Sequence, residues 1–258
     1  MIKKNMVRFY KDADEVMFKG SMYQPKGTNN SSGEKLKFFD ALFYGVPVAV
    51  ENGLKVVDAV TWEKVMCEFS EEEIHDLTFE KVLFKGVTFK KFLFSCTFKD
   101  SFFECCVCKN SFLNCTFQSC SYSKVMFGTA GIRMCKAVMC KFKECDLSHT
   151  NIDCDMDDCQ FTDCSFSHAN IYTSLIKNCS FTRCDFSYAR LRRGSVYKTS
   201  MLSPNFYSAT IDGTRFDASE ITDANYECIG ITMAGATREE VANLKNHILK
   251  VFTPTFNT

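Results

Sequence analysis

The cysteines are the residues of this sequence with the widest range of possible chemistry. There are 16 of them in 258 residues, and through the middle of the chain they recur every five residues or nearly so, as in CKFKECDLSHTNIDCDMDDC. Zinc would need four converging ligands, commonly in paired CxxC-like spacings, and only Cys105, Cys106 and Cys108 form a close cluster. A reactive thiolate would need an activating partner, and neither Cys105 nor Cys228 has one nearby in the sequence. We therefore predict reduced, structural thiols and no metal site.

Two of the four histidines share a repeated phrase. His149 lies in SHTN and His168 in SHAN, so we expect both side chains in one surface column. Such a pair could bind a metal ion, but two exposed residues of a repeat are the simpler interpretation. The sequence has no Gly-rich phosphate loop, no GxSxG and no HExxH motif. These absences predict a protein that is not an enzyme and holds no cofactor.

The charges of the chain balance. Lys plus Arg and Asp plus Glu each number 31, and the formal net charge is zero. A nucleic-acid binder usually has a basic excess and a nucleic-acid mimic an acidic one, so we expect no nucleic-acid partner. The longest apolar run, ALFYGVPVAV, is too short to span a bilayer, which predicts no membrane insertion. No signal peptide is apparent at the N-terminus, so the many cysteines indicate a reducing compartment.

Large apolar side chains return every five residues from about Leu77 to Ala236. This period fits neither an α-helix nor a flat strand. We call each of these residues a centre. The step between centres shortens to four at three places: Phe94 to Phe98, Leu113 to Phe117, and Ile152 to Met156. If four steps make one turn of a solenoid, each turn has four walls with one centre on each, and we number them so that Phe79 is a centre of wall one. All three short steps then fall at one corner, between wall four and wall one.

Sorting the centres by wall places like residues above like, as in the core of a solenoid. Wall two is aromatic, with centres Phe84, Phe103, Tyr122, Phe142, Phe161 and Phe181. Wall four is almost purely aliphatic, with centres Phe94, Leu113, Ile132, Ile152, Ile171, Leu191, Ile211 and Ile231. Cysteine recurs two residues before the centre on walls one, two and three. On wall four that position holds Ser, Thr or Ala instead.

Stretches such as CDLSHTNI, CSFSHANI, CDFSYARL and ATIDGTRFDASEITDAN resemble the motif of the pentapeptide-repeat protein family. That motif has a small residue (often Ala, Ser or Cys), then Asn or Asp, then Leu or Phe, then two variable residues. The resemblance implies an all-β fold, a right-handed quadrilateral β-helix of about eight coils. Its centres and small residues would point inward. The sequence departs from the motif at Lys141, Thr97, Thr116 and Pro204, where we expect local irregularity.

Both ends of such a rod are open sheet edges that need covers. We expect residues 1–66 to form an N-terminal cap, residues 67–236 the β-helix, and residues 237–258 a C-terminal capping helix and tail. Thr237 and Glu240 match a capping box. Apolar residues at helical spacing follow them: Val241, Leu244, Ile248 and Val251.

Charged columns on the outer surface provide the candidate binding site. Six residues are candidates for contact with a partner: Arg190, Arg192, Arg193, Tyr172, Asp155 and Asp158. The three arginines make a basic spot suited to an acidic partner. The aspartates belong to an acidic run that would imitate phosphates if it stood alone. Opposite charges one turn away predict a self-compensated face there.

These observations favour a non-catalytic scaffold for protein–protein interaction, as a monomer or an end-to-end dimer, because a rigid rod offers broad flat faces. The Phe- and Cys-rich repeats with short end caps also resemble pentapeptide-repeat effectors that bacteria deliver into host cells by type III secretion. That resemblance implies a location in the bacterial cytoplasm or in a host cell. The alternative is a DNA-mimicking protein that binds a topoisomerase such as gyrase for protection or immunity, and the zero net charge counts against it.

Overall fold

Four walls of β-strands wind around one apolar core. The computed structural model describes residues 48–67 and 73–232, together with the single residues 46 and 246. In the second range each strand pairs in parallel with the strand one turn later. Phe142 pairs with Phe161, for example, and Phe161 with Phe181. The chain therefore forms a β-solenoid of about eight turns, which confirms the predicted fold.

The strands are short and stack wall by wall. Wall one contains β4 (Thr78–Glu80), β8 (Thr97–Lys99), β12 (Thr116–Gln118), β19 (Leu175–Lys177), β22 (Ser195–Tyr197) and β25 (Arg215–Asp217). Wall two contains β1 (Ala49–Glu51), β2 (Leu54–Asp58), β5 (Val82–Lys85), β9 (Phe102–Glu104), β13 (Ser121–Ser123), β15 (Lys141–Lys143), β17 (Gln160–Thr162), β20 (Ser180–Thr182), β23 (Ser200–Leu202) and β26 (Glu220–Thr222).

The other two walls are less uniform. Wall three contains β6 (Thr88–Phe89) and β10 (Val107–Cys108), then continues as single bridges through Met126, Asp146, Ser165, Asp185, Asn205 and Asn225. Wall four contains β3 (Glu73–His75), β7 (Phe92–Phe94), β11 (Phe112–Leu113), β18 (Asn170–Tyr172), β21 (Arg190–Arg192), β24 (Thr210–Asp212) and β27 (Gly230–Thr232). Two longer strands run through both wall four and wall one: β14 (Gly131–Val138) and β16 (Asn151–Asp157).

Each short strand turns one side chain inward and two outward. In β17 the buried Phe161 lies between the exposed Gln160 and the half-buried Thr162. At most corners one residue has a positive φ, from 47° at Lys198 to 59° at Cys228. A side chain in this left-handed conformation costs about 1 kcal/mol or more. The hydrogen bonds to the neighbouring turns offset that cost and hold the corner in place.

Two kinds of corner explain where the cysteines occur. At the corner before wall four, the N–H of Ala169 donates to the carbonyl oxygen of Phe166 at 2.9 Å, so no polar side chain is needed. At the corners before walls one and two, the N–H donates to a side chain of the next turn, as Cys159 does to Sγ of Cys179 at 3.4 Å. Similar bonds join Cys154 to Ser174, Cys179 to Thr199 and Thr199 to Ser219. Cys, Ser and Thr on walls one and two supply this acceptor. The cysteines of wall three instead donate from Sγ to carbonyl oxygens of the preceding turn, as Cys164 does to Phe142 at 3.5 Å.

The centres of wall two form a continuous ladder of stacked rings. Successive rings from Phe84 to Phe181 lie 4.4–5.0 Å apart between centroids, and their planes are within 21° of parallel. All six rings are buried, which confirms the prediction for this wall. Aromatic rings stack well at the spacing of neighbouring strands, about 4.8 Å. This match gives the structural reason for the phenylalanines of wall two.

Two of the predicted short steps lie at a different corner. The inward centres of wall four are Leu93 and Phe112, whereas Phe94 and Leu113 are only half-buried. Leu93 pairs with Ile74, which is also buried. In these turns the steps of four therefore fall between walls three and four, and the one aromatic centre of wall four is Phe112 instead of the predicted Phe94. Apolar residues are adjacent in both strands, as FLF in β7 and FL in β11. Spacing alone therefore cannot show which residue of each strand points inward.

The third short step lies at the predicted corner. Ile152 and Met156 are both buried centres, and none of the three residues between them has the positive φ found at most other corners. Strand β16 runs straight from wall four into wall one, with Cys154 also pointing inward. The preceding strand β14 has one residue more and bulges at Met134, which is 66% exposed.

A hairpin and a helix cover the first turn. Strand β1 pairs antiparallel with β2, and β2 extends wall two by pairing with β5. Asp58 caps helix α1 (Ala59–Met66) by accepting a hydrogen bond from the N–H of Thr61 at 2.7 Å. The helix buries Trp62 against three centres of the first turn: Phe79, Phe84 and Phe89. Most of the expected N-terminal cap, and the expected C-terminal helix except residue 246, lie outside the described residues.

Candidate functional site

Wall four carries the three candidate arginines. In β21 the middle residue, Leu191, is buried, so Arg190 and Arg192 leave the strand on the same outer face. Arg193 follows at the corner with a φ of 52°. Extended backbone places residues i and i+2 about 6.6 Å apart. The strand therefore holds two guanidinium groups at a defined interval, with a third beside them.

Arg192 has an aromatic neighbour on one side and an acidic neighbour on the other. It lies in register between Tyr172 of β18 and Asp212 of β24. Its Nε is 3.6 Å from Oδ2 of Asp212, whose side chain is only 12% exposed. A guanidinium has five N–H donors. This single long contact therefore uses a small part of the binding capacity of Arg192.

Arg190 and Arg193 carry charge that the described chain does not offset. Arg190 lies in register between two uncharged residues, Asn170 and Thr210. Within residues 48–67 and 73–232, neither Arg190 nor Arg193 forms an ion pair. The side-chain oxygen of Asn170 is buried without a hydrogen-bond partner. Unused donors and an unused acceptor therefore lie side by side on wall four.

An exposed ladder of aromatic rings borders these arginines. His149, His168 and Tyr188 occupy successive turns at the corner before wall four, and their rings stack at 4.9 and 4.8 Å with 6° between planes. Tyr207 packs edge-on against Tyr188 at 5.6 Å. The repeated SH phrase predicts the two histidines of this column but not its extension, although Tyr188 has the same position in its repeat. The ladder ends two residues before Arg190 and adds a second tyrosine to the surface.

The two candidate aspartates do not lie with the arginines. We define the arginine–tyrosine face by five residues of wall four and its leading corner: Tyr172, Tyr188, Arg190, Arg192 and Arg193. Asp155 is on wall one, where its Oδ1 accepts a hydrogen bond from the N–H of Leu175 at 2.9 Å. Asp158 is at the corner after that wall, with a φ of 54°. The separation arises because β16 has crossed from wall four to wall one before it reaches them.

The acidic run of β16 is compensated by its neighbours, as predicted. Asp153 pairs in register with Arg133 on the preceding turn. Asp157 makes an ion pair of 3.0 Å with Lys177 on the following turn, and the hydrogen bond from that ammonium lowers the pKa of the Asp157 carboxyl. Alternating rows of acid and base do not produce the uniform negative field of a phosphate backbone.

The cysteines show no sign of shared chemistry. All 16 are free thiols and 13 of them are buried. The exposed ones, Cys67, Cys105 and Cys228, lie in different turns, and burial raises the pKa of Cys106 to about 12. Among the residues that the structure describes, no group of three or more His, Cys, Asp and Glu side chains could hold a metal ion. The described helix falls short of the length and apolarity that crossing a bilayer requires.

Comparison with known proteins identifies the repeat. A family model described as pentapeptide repeats, in 8 copies, matches residues 140–175 and 159–195. Residues 140–195 are therefore pentapeptide repeats. The same parallel pairing extends beyond the matched residues, from Ile74 in β3 to Ile231 in β27. No curated protein matches the sequence.

Solved structures of pentapeptide-repeat proteins are only distantly similar to this chain. Full-length QnrB1, a plasmid-mediated fluoroquinolone resistance protein, is 14% identical over 68% of this chain and 99% of its own, with a TM-score of 0.35. Rfr23 from the cyanobacterium Cyanothece 51142 is 11% identical over 36% of this chain and 63% of its own, with a TM-score of 0.29. HetL from the cyanobacterium Nostoc is 11% identical over 59% of this chain and 86% of its own, with a TM-score of 0.24. With TM-scores this low, these likenesses support no conclusion about function.

Proposed function

We propose that this protein is a non-catalytic scaffold that binds a protein partner through its arginine–tyrosine face. One observation carries the proposal. Arg190 and Arg193, which have no ion pair in the described chain, adjoin Arg192, whose single pair is long. Arginine and tyrosine are also the residue types that contribute most at the centres of protein interfaces. Side chains fill the solenoid interior, so binding is expected on an outer wall.

Two charge pairs on the other walls are closer than the pair that Arg192 makes with Asp212. On wall two, Arg183 donates two hydrogen bonds to Asp163, at 2.7 and 2.9 Å. On wall one, Lys177 lies 3.0 Å from Asp157. A partner that brings carboxylates would have to displace existing acids on those walls. On wall four it would meet guanidinium groups that still lack them, which favours docking there.

Charge reversal on wall four tests the proposal. The double variant Arg190→Glu, Arg193→Glu changes the face without breaking an ion pair of the described chain. The matched control is Lys141→Glu, Lys143→Glu, which makes the same change of charge on the exposed side of wall two. Affinity capture from a host-cell lysate, followed by quantitative mass spectrometry, should show a partner that binds the wild type and the wall-two variant but is lost from the wall-four variant. Equal retention by the wild type and both variants would contradict the proposal.

We also propose that the scaffold acts in a host cell after secretion, on the basis of its effector-like repeats and end caps. A reporter enzyme fused after residues 1–30 should then be translocated by a type III apparatus. Retention of the reporter in a bacterium with a working apparatus would indicate that the protein acts in the bacterial cytoplasm instead.

Binding to a topoisomerase is the alternative function. The alternating charge rows of β14 and β16 count against imitation of DNA. A gyrase supercoiling assay decides between the two. If the protein neither inhibits gyrase nor relieves its inhibition by a quinolone, the alternative is excluded. Inhibition of gyrase, or relief of its inhibition by a quinolone, would favour topoisomerase binding over a scaffold for other proteins.

A further inference from the structure

The partner of the arginine–tyrosine face can be described by its chemistry. We propose that this face binds an acidic protein segment in extended conformation, with alternate carboxylates reaching Arg190 and Arg192. The inference rests on the proposed function and narrows the partner to one class. It follows from the spacing of the arginines, from their donor geometry and from the tyrosines beside them.

The interval between the two arginines matches that of an extended chain. Arg190 and Arg192 flank the buried Leu191 in β21, so both side chains leave the same face. Residues i and i+2 of any extended segment are also about 6.6 Å apart. A segment that runs alongside β21 with acids at alternate positions would present its carboxylates at the interval of the two guanidinium groups. Arg193 at the corner provides a further cation at the end of the row.

Arginine is the side chain best suited to hold such carboxylates. Its planar guanidinium can donate two parallel hydrogen bonds to one carboxylate, which a lysine ammonium cannot do. Arg190 makes no ion pair in the described chain, and Arg192 makes one contact of 3.6 Å. Both groups therefore retain the donors that a bidentate pair requires.

The two tyrosines border the row of arginines. Tyr172 lies beside Arg192 on the neighbouring strand. Tyr188 precedes Arg190 by two residues and is 47% exposed. Tyrosine combines a rigid apolar ring with a hydroxyl, so these side chains can pack against the methylene groups of glutamate and donate to a carboxylate. They distinguish this surface from a basic spot that attracts anions by charge alone.

Fluorescence anisotropy with synthetic peptides tests the inference on the full-length protein. The probe is a labelled peptide in which Glu and Val alternate, and the comparator has the same composition with its Glu residues contiguous. The alternating peptide should bind at least about tenfold more tightly at low ionic strength. Arg190→Ala should abolish this preference. Its fold should be intact, because Arg190 has no ion pair in the described chain, and circular dichroism checks this.

A matched control separates spacing from charge. Lys141 and Lys143 flank the buried Phe142 of β15, so they have the same interval on wall two. Lys141→Ala with Lys143→Ala should leave binding of the alternating peptide unchanged. Equal binding of the two peptides, or equal loss in the wall-two and wall-four variants, would overturn the inference, because either result indicates attraction by net charge alone.

Inorganic phosphate distinguishes the source of the anion. Full displacement of the alternating peptide by millimolar phosphate at constant ionic strength would assign the arginines to phosphate groups and overturn the inference. If the peptide fails to bind while Arg190→Glu with Arg193→Glu still loses its captured partner, the inference fails and the proposed function stands. If the captured partner is also unaffected, the proposed function fails.

Discussion

Wall two and wall four are stacks of the same short strands, yet they differ on both their inner and outer surfaces. Wall two stacks aromatic rings inside and pairs Asp163 with Arg183 outside. Wall four has mostly aliphatic centres, and its leading corner is closed by a backbone hydrogen bond, such as that from Ala169 to Phe166. Its outer surface holds Arg190 without an ion pair in the described chain. This difference is the reason that we propose wall four, rather than wall two, as the surface for binding.

The largest effect should come from the aromatic ladder. Phe161 is 1% exposed and stacks between two rings at 4.5 and 4.6 Å. Phe161→Ala should lower the free energy of unfolding by about 3–5 kcal/mol, because it leaves a cavity. Ile171→Val on wall four should cost about 0.5–1.5 kcal/mol. Urea unfolding of both variants measures the contrast, and no loss in Phe161→Ala would contradict the inward placement of the ladder.

The two kinds of corner predict different costs for one substitution. Thr199 on wall two accepts a hydrogen bond from the N–H of Cys179 at 3.4 Å, so Thr199→Ala leaves a buried donor unsatisfied and should cost about 1–3 kcal/mol. Thr150 on wall four follows a corner where its own N–H donates to the carbonyl of Leu147. Thr150→Ala removes the hydrogen bond that Oγ1 donates to the carbonyl oxygen of Gly128 at 2.9 Å, but it leaves no N–H unsatisfied and should therefore cost less. Urea unfolding measures both, and equal losses would remove the distinction between the corners.

Acidification should weaken the charge pairs of wall two. The hydrogen bonds from Arg183 lower the pKa of Asp163 in the folded state below the ordinary value of about 3.9. Because the folded pKa is depressed, the stabilisation is present above the unfolded pKa and is lost as pH falls through the folded one. The melting temperature of the wild type should consequently drop more steeply below about pH 4 than that of Asp163→Asn. Parallel curves would show that the pair contributes nothing.

The smallest contrast concerns the arginines themselves. Arg183→Ala removes a two-bond contact with Asp163 and should lower the melting temperature slightly, by an amount that added salt reduces. Arg190→Ala removes no ion pair of the described chain and should leave the melting temperature unchanged. Differential scanning calorimetry at low and high salt measures both. A loss in Arg190→Ala equal to that in Arg183→Ala would indicate that Arg190 has a structural role.

The sequence predicts the register of wall two because its pattern has a single solution. Polar residues flank Phe142, Phe161 and Phe181, so only one side chain of each strand can point inward. In β7 three apolar residues adjoin, and only the pairing of Leu93 with Ile74 shows which of them fills the core. Periodicity identifies a register only where neighbouring residues differ in polarity.

The candidate face could be predicted only in part. Once Leu191 is a centre, Arg190 and Arg192 must point outward together. The distance from Arg192 to Asp212 depends on side-chain torsions that spacing does not contain. The same holds for the stacking of His168 on Tyr188. Register therefore predicts which residues are neighbours, and it does not predict which of them bind each other.

The corners before walls one and two make the two ends of the rod chemically different. The N–H of Cys154 is satisfied by Ser174 of the following turn, and that of Thr199 by Ser219. Each of these turns is thus completed by its successor. Cutting whole turns from the C-terminal side would strip these acceptors from corner amides of a turn that stays behind. Cutting from the N-terminal side would instead strip acceptors from strand amides, because the N–H of Gln160 donates to the carbonyl oxygen of Cys140 on the preceding turn. The two ends of the solenoid therefore expose different sets of donors, and each end needs its own kind of cover.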